Sequence, residues 1–485
     1  MKKIILITSI VFIFGSCDDF LELEPQQSLP SSTAFSTAAD LQTAIIGAYD
    51  AAQASDFAGT NITMAPEVIA DNGDWRGSFT SYRDIQAANI VPDNVDVEGV
   101  WQNGYAVINI TNQILVSLDV IEDPELTNDL EAQLRGEALF LRGMAYFEMV
   151  RFYARPFSAN SGSDLGLVLS TEPINSPDQL IDLTRSSVQA TYDRAIADLT
   201  DASTTLPLDF IVDGRANRFA ALAYLAEIAF QQRLYGEAAN FADQVISSDV
   251  FSLVAEPNIP FINEFSDESI FEISHTIQDN PGVNGSLATF HHVNGRGGDL
   301  VISNDLIENG FDQIVTDDQQ AAIDAANLTV EDLRVTQLTS NEVFNIEKYE
   351  DFTNNADNAI IWRLAELMLM RAESLVRLNG VNMESISLLN EIRLRSLRIT
   401  DASDNSVSGD GLITFSTTDF GSSEELIEAI ILERRVEMAF EGQRYHDLVR
   451  LERSIRGTNP GADNLVWPIP LDEVNSSGIE QNPGY

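Results

Sequence analysis

One cysteine, Cys17, stands in 485 residues, so no disulfide can close within the chain and its stability must come from packing. Histidine is nearly as scarce, limited to His275, His291, His292 and His446. None belongs to a His-Glu-x-x-His helical pair, and neighbours such as His291 and His292 diverge in any regular element. No Asp-x-Asp-x-Asp-Gly loop ends in a coordinating glutamate, so no metal site is expected and structural calcium has no motif behind it. Lysine is confined to Lys2, Lys3 and Lys348, and 28 basic residues face 75 acidic ones for a formal charge of -47. Binding phosphate polymers needs clustered cations, so a general affinity for nucleic acid is excluded. The same field favours neutral ligands over strongly anionic ones. A surface this acidic fits a salty medium, where screening weakens self-repulsion.

The signatures of catalysis are missing too. Gly295-Arg296-Gly297-Gly298 lacks the Lys-Ser/Thr ending of a phosphate loop, and no Gly-x-Ser-x-Gly elbow occurs. A glycosidase needs two carboxylates, but among 75 acids such pairs arise everywhere and decide nothing. The chain reads as a non-enzyme that requires no cofactor.

What is present begins with Lys2-Lys3, an apolar run from Ile4 to Phe14, and Gly15-Ser16-Cys17. That is a secretory signal over residues 1–16 with a small-residue cleavage site, and its apolar run is too short to span a bilayer. Cys17 at the junction is the expected acceptor for lipid, where each buried methylene contributes about 0.8 kcal/mol to membrane anchoring. A tether over residues 17–36 follows, carrying Phe20-Leu21-Glu22-Leu23-Glu24-Pro25.

The interior is dominated by helical periodicity. Helices are expected around Asp40 to Ala54, Trp101 to Asp119, Leu130 to Tyr153, Ser187 to Ala202, Phe219 to Gln232, Tyr235 to Ser247, Leu364 to Leu378 and Met383 to Arg395. In the 219–247 pair Leu225-Ala226, Tyr235 and Ala238 sit at tetratricopeptide spacing, with small residues where two backbones approach. One hairpin cannot cover its own apolar face, so the pairs must stack. Four imperfect pairs are expected, near 40–119, 130–202, 219–247 and 362–395, within one domain over 37–485. The fold class is mainly α, a superhelical scaffold with long irregular loops over 56–100, 252–360 and 401–422. Short strands are few, among them an alternating Ser269–Ser274.

Loops of that length on a helical scaffold are where binding residues belong. A glycan site needs flat aromatics for sugar faces and amide, carboxylate or guanidinium groups for hydroxyls. The first loop supplies Asp71, Asn72, Asp74, Trp75, Arg76, Phe79 and Tyr82. The second supplies Phe290, His291, His292, Asn294, Arg296 and Asp299 as an opposite wall. The ligand-binding candidates are Asp71, Asn72, Asp74, Trp75, Tyr82, His292, Asn294 and Arg296. Trp101 and Trp362 open helices and read as core, and Trp467 as a residue packed on the body.

The last sixty residues carry the most specific words. A helix is expected from Leu426 to Glu441, with Arg434 reaching Glu437 at i+3; Gly442 breaks it, and Arg444 to Arg453 follows. Glu433-Arg434-Arg435, Glu441-Gly442-Gln443-Arg444-Tyr445, Asp447-Leu448-Val449-Arg450, Trp467-Pro468-Ile469-Pro470 and the Gln481-Asn482-Pro483-Gly484-Tyr485 end resemble the C-terminal signature, over 424–485, of the SusD/RagB family. These are glycan-binding lipoproteins of Bacteroidetes. The resemblance implies four tetratricopeptide-like helix pairs and a lipid anchor on the outer face of the outer membrane. It also implies a TonB-dependent, SusC-like transporter as partner, with oligosaccharide delivered beneath a lid. A peptide-binding member, or a repeat scaffold that binds only proteins, is the alternative. Replacing Cys17 by Ser should move the protein from the membrane fraction to the soluble one and abolish fatty-acid labelling, read by cell fractionation with a radiolabelled or clickable acyl chain.

Overall fold

The computed structural model describes residues 35–180, 183–262, 264–340, 345–403 and 405–485. The signal, Cys17 and most of the tether lie outside the described residues. Helix α1, Ala38–Gln53, opens with a capping box in which the Thr37 hydroxyl accepts from the Asp40 amide and the Asp40 carboxylate accepts from the Thr37 amide. Its Leu41, Ile45, Ala48 and Ala52 recur at spacings of three and four and bury one face. That face lies on α4, Val95–Leu118, and α4 lies on α5, Asn128–Tyr153. From Gly136 to Val150 every residue of α5 is buried, because α4 flanks it on one side and α6, Val188–Thr205, on the other. Gly143 permits that approach: a Cβ there would stand 2.8 Å from Leu199 Cγ on α6.

The stack continues through α7, Arg218–Gln231, and α8, Tyr235–Ile246, which form the tight hairpin expected from their spacing, with Leu225, Ala226 and Ala238 buried at its seam. Helix α8 then meets α9, Leu364–Asn379, far along the chain, and α9 meets α10, Met383–Ser396. The scaffold is thus mainly helical and built by stacked pairs.

Several details depart from expectation. The 56–100 stretch is not an irregular loop: it holds α2, Asn61–Ile69, strand β1, Gly73–Trp75, and α3, Thr80–Gln86. Helix α4 starts at Val95, capped by Asn94, so Trp101 sits two turns inside it. The second long loop contributes strands as well. They are β2, Ser269–Ile273; β3, Leu300–Ile302; β4, Thr329–Asp332; β5, Thr339–Ser340; β6, Asn345–Ile346; and β7, Ala359–Arg363. Strand β8, Leu397–Thr400, follows α10 and pairs with β4. Strands β1, β3, β6 and β5 form one antiparallel sheet in that order, and β2 pairs with β7. From Ile270 to Ile273 β2 is buried on both faces, so its apolar alternation does not mark a solvent side. Trp362 lies in β7 and not at a helix start, 2% exposed against Tyr224.

The C-terminal signature differs most. Helix α11 is Ser423–Glu437, and Met438 to Glu441 form a turn in which Phe440 takes φ +67 before Gly442 at φ +84. Arg434 does not pair with Glu437. It donates to Glu366 at 2.8 Å and to Asp447 at 2.9 Å, while Glu437 accepts from Arg363 at 2.6 Å and from Arg395. Arg363 also bonds Glu268 at 2.8 Å and Glu441 at 2.7 Å, and Lys348 bonds Glu441 at 2.6 Å. Glu433 takes Arg334 at 2.6 Å and Arg393 at 2.9 Å. Helix α12, Arg444–Arg450, extends the set, with Arg450 forked onto Glu373 at 2.8 Å twice. The tail is held by Arg185, which donates to the Asn482 side chain at 2.8 Å and to the Glu480 carbonyl at 3.2 Å, while Trp467 stacks on Phe152 at 4.5 Å.

Burial alone would raise the Glu437 and Glu441 carboxyls, yet Arg395, Arg363 and Arg334 hold the first well below the usual range, and Arg363 with Lys348 lowers the second. A folded-state value below the unfolded one contributes stability that is present above the ordinary carboxylate range and lost as pH falls through the lowered values. Acid should therefore unfold the protein steeply below about pH 4. Arg363→Met, which takes from Glu437 and Glu441 the one cation they share and leaves Arg395, Arg334 and Lys348 to compensate, should cost about 3–5 kcal/mol at neutral pH in a denaturant titration and flatten that acid limb.

Candidate functional site

The first candidate loop is gripped from behind by the C-terminal signature. Glu67, fully buried on α2, accepts from the Gly442 amide at 2.9 Å, and burial pushes its carboxyl up to about 7. Asp71 accepts a fork from Arg444 at 2.6 and 2.9 Å, and the Asn72 side-chain oxygen accepts from Arg435 Nε at 3.0 Å. Asp71 and Asn72 are thereby committed to holding the chain. Beyond them β1 pairs with β3 in the register Gly73 to Ile302, Asp74 to Val301 and Trp75 to Leu300, and the Arg76 amide donates to the Asp299 carbonyl at 2.6 Å. The two sequence-distant loops thus become one surface. Gly77 turns the corner where a Cβ would lie 2.7 Å from Asp299 Cγ and run into the Trp75 ring.

Beneath that surface is an aromatic floor. Trp75 is 6% exposed and Tyr82 3%, with ring centroids 4.8 Å apart and Phe290 within 5.9 Å of both. Trp75 Nε1 donates to the Phe79 carbonyl at 3.2 Å, and the Tyr82 hydroxyl donates to Asn61. These rings carry the site from below and leave its outer face to other residues. On top lies Phe79, half-buried, with the Arg296 guanidinium 4.3 Å over its ring. Arg296 donates to Asp299 at 2.6 Å, to Asn284 at 2.5 Å and to Ser78 at 3.3 Å. His292 is half-buried and stacks on Phe352 at 4.5 Å and 23°, while Asn294 is exposed on the same loop. His291 points inward, its Nδ1 at 2.6 Å from the Leu287 carbonyl, and burial pushes its ring down to about 4, so it is neutral. Asp74 is reached by Arg456 at 3.1 Å.

Three contributors escaped the sequence reading. Asn284 is joined to the rim through Arg296, Phe352 through His292, and Arg456 through Asp74. Each meets its partner only after the loops fold together, and no local periodicity or spacing marks it.

This helical stack, with its lattice of buried ion pairs and loops joined by a small sheet, has parallels among known proteins. A family model described as starch-binding, associating with outer membrane, matches residues 19–230, and one described as the SusD family matches residues 330–485. The chain belongs to the SusD family. A SusD-like protein P2 of Formosa agariphila is 26% identical over 534 residues, covering 100% of this chain and 99% of that one. A SusD superfamily protein from Bacteroides thetaiotaomicron has the same fold at 21% identity, with a TM-score of 0.77 over 92% of this chain and 100% of that one. A SusD-like carbohydrate binding protein from Bacteroides vulgatus superposes with a TM-score of 0.67 at 18% identity, over 87% and 84% of the two chains.

For this SusD-family chain the buried floor has a measurable consequence. Trp75→Ala should lower stability by about 3–5 kcal/mol, seen as an earlier midpoint in thermal or denaturant unfolding, because it empties a packed position. Asn294→Ala, on the exposed loop, should leave the midpoint unchanged within about 0.5 kcal/mol.

Proposed function

We propose that this protein captures an oligosaccharide on the rim formed by Phe79, Asn284, His292, Asn294, Arg296 and Phe352, and delivers it to a TonB-dependent, SusC-like transporter that it covers as a lid. Lipid on Cys17 would hold it on the outer face of the outer membrane. The observation that carries the reading is the β1–β3 junction, which sets half-buried aromatic rings beside amide and guanidinium donors on one surface. Aromatic faces suit the apolar faces of sugar rings, and the donors suit their hydroxyls. Family membership supports the same reading through the starch-binding and outer-membrane description of its model. A few stacked and hydrogen-bonded units correspond to micromolar to millimolar affinity, about -8 to -4 kcal/mol, weak enough for release into a barrel.

Retardation in native gels cast with polysaccharides tests it. The wild-type protein should be slowed by at least one glycan, and the double variant Phe79→Ala/Arg296→Ala should lose that retardation while its circular dichroism stays that of the wild type. Mobility unaffected by every glycan, or an unaltered double variant, would overturn the capture site. Failure to co-purify a barrel from native outer membranes would remove the delivery step and leave capture standing.

A further inference from the structure

The arginines of this chain are almost wholly consumed by carboxylates. Each one except Arg76, Arg83, Arg185 and Arg218 lies within ion-pair distance of an Asp or Glu among the described residues. Arg185 is buried and spends its donors on the carbonyls of Gly166, Tyr153, Leu165 and Glu480 and on Asn482. Arg218 is half-buried at the first position of α7. The two exposed ones are Arg76 and Arg83, and both belong to the corner that carries Phe79.

With 75 acids available to 28 bases, an exposed guanidinium without a carboxylate is the exception, and two at one corner call for a reason. Arg83 reaches only the Gly77 carbonyl, at 3.5 Å, and no side-chain bond of Arg76 is formed among the described residues. The acids nearest in sequence are already engaged or stand apart. Asp74 holds Arg456 and Asp299 holds Arg296, while Asp84 adjoins Arg83 in sequence without reaching ion-pair distance of it. A planar guanidinium presents paired N–H donors that match the oxygens of a carboxylate or a sulfate.

We propose that Arg76 and Arg83 recognise an anionic substituent on the captured glycan, a uronate carboxylate or a sulfate ester, which rests on the glycan-capture reading and narrows it. The whole-chain charge points the other way, toward a neutral ligand, and distance decides between them. Screening reduces the reach of a charge to about 10 Å at 0.1 M salt and about 3 Å at 1 M, so acids elsewhere on the surface are muted while direct contacts persist.

Three polymers separate the outcomes in affinity gels and titration calorimetry: polygalacturonate for carboxylate, carrageenan for sulfate ester, and laminarin as a neutral control. Wild-type protein should bind at least one anionic polymer, and the arm that binds names the group. Arg76→Gln/Arg83→Gln should weaken that binding about tenfold or more, Arg76→Lys/Arg83→Lys should restore part of it, and Arg218→Gln should change nothing. Both arginines are exposed, so melting temperatures should stay level across the set. Binding of laminarin alone, unaltered by the double Gln variant, would overturn the anionic assignment and leave glycan capture intact. Absence of binding to all three, with neutral glycans of other linkage also inert, would sink both readings.

Discussion

A lattice of buried guanidinium and carboxylate groups holds the distant parts of this protein to one another. Arg363 alone joins β7 to Glu268 before β2, to Glu437 at the end of α11 and to Glu441 just beyond it. Arg334, Arg393 and Arg395 bring β4, α10 and their surroundings onto the same helix through Glu433 and Glu437. Taking such charges out of water costs several kcal/mol per ion, and only dense mutual pairing offsets it. Arginine is suited to that task because its fork meets two oxygens at once and stays charged when buried. The one lysine among the described residues, Lys348, is buried in the same lattice, on Glu441 and the Ala439 carbonyl.

The lattice does more than close the core. Its far edge, Arg435, Gly442 and Arg444, grips Asn72, Glu67 and Asp71, and so fixes the segment that becomes β1. The rim above is therefore mounted on the C-terminal signature, although no residue of α11 or α12 belongs to it. Residues read from the sequence as one ligand-contact set divide into three jobs in space. Asp71, Asn72 and Asp74 are taken up by arginines, Trp75 and Tyr82 form a floor, and Arg296, His292 and Asn294 lie at the surface with Phe79.

Charge behaves in the same layered way. The total is strongly negative, yet among the described residues most cations are paired with a specific acid, and the exposed remainder is local. An average over the chain describes solubility and long-range repulsion; it says little about what a corner carrying two open guanidiniums will hold at contact distance.

The amino-acid order by itself determined the helical scaffold, because periods of three and four residues and small residues at helix seams are written locally. It also determined family membership, because the words around Glu441-Gly442-Gln443-Arg444 are contiguous. It misplaced the end of α11 and the partner of Arg434, since a helical i+3 pair competes with Glu366 and Asp447, which only packing brings near. It read 56–100 as loop because α2, β1 and α3 are short and draw their order from neighbours distant in sequence. Only the tertiary structure decided which candidates are buried and which arginines are left open, for both depend on pairings between residues hundreds of positions apart, and such pairings leave no trace in local spacing.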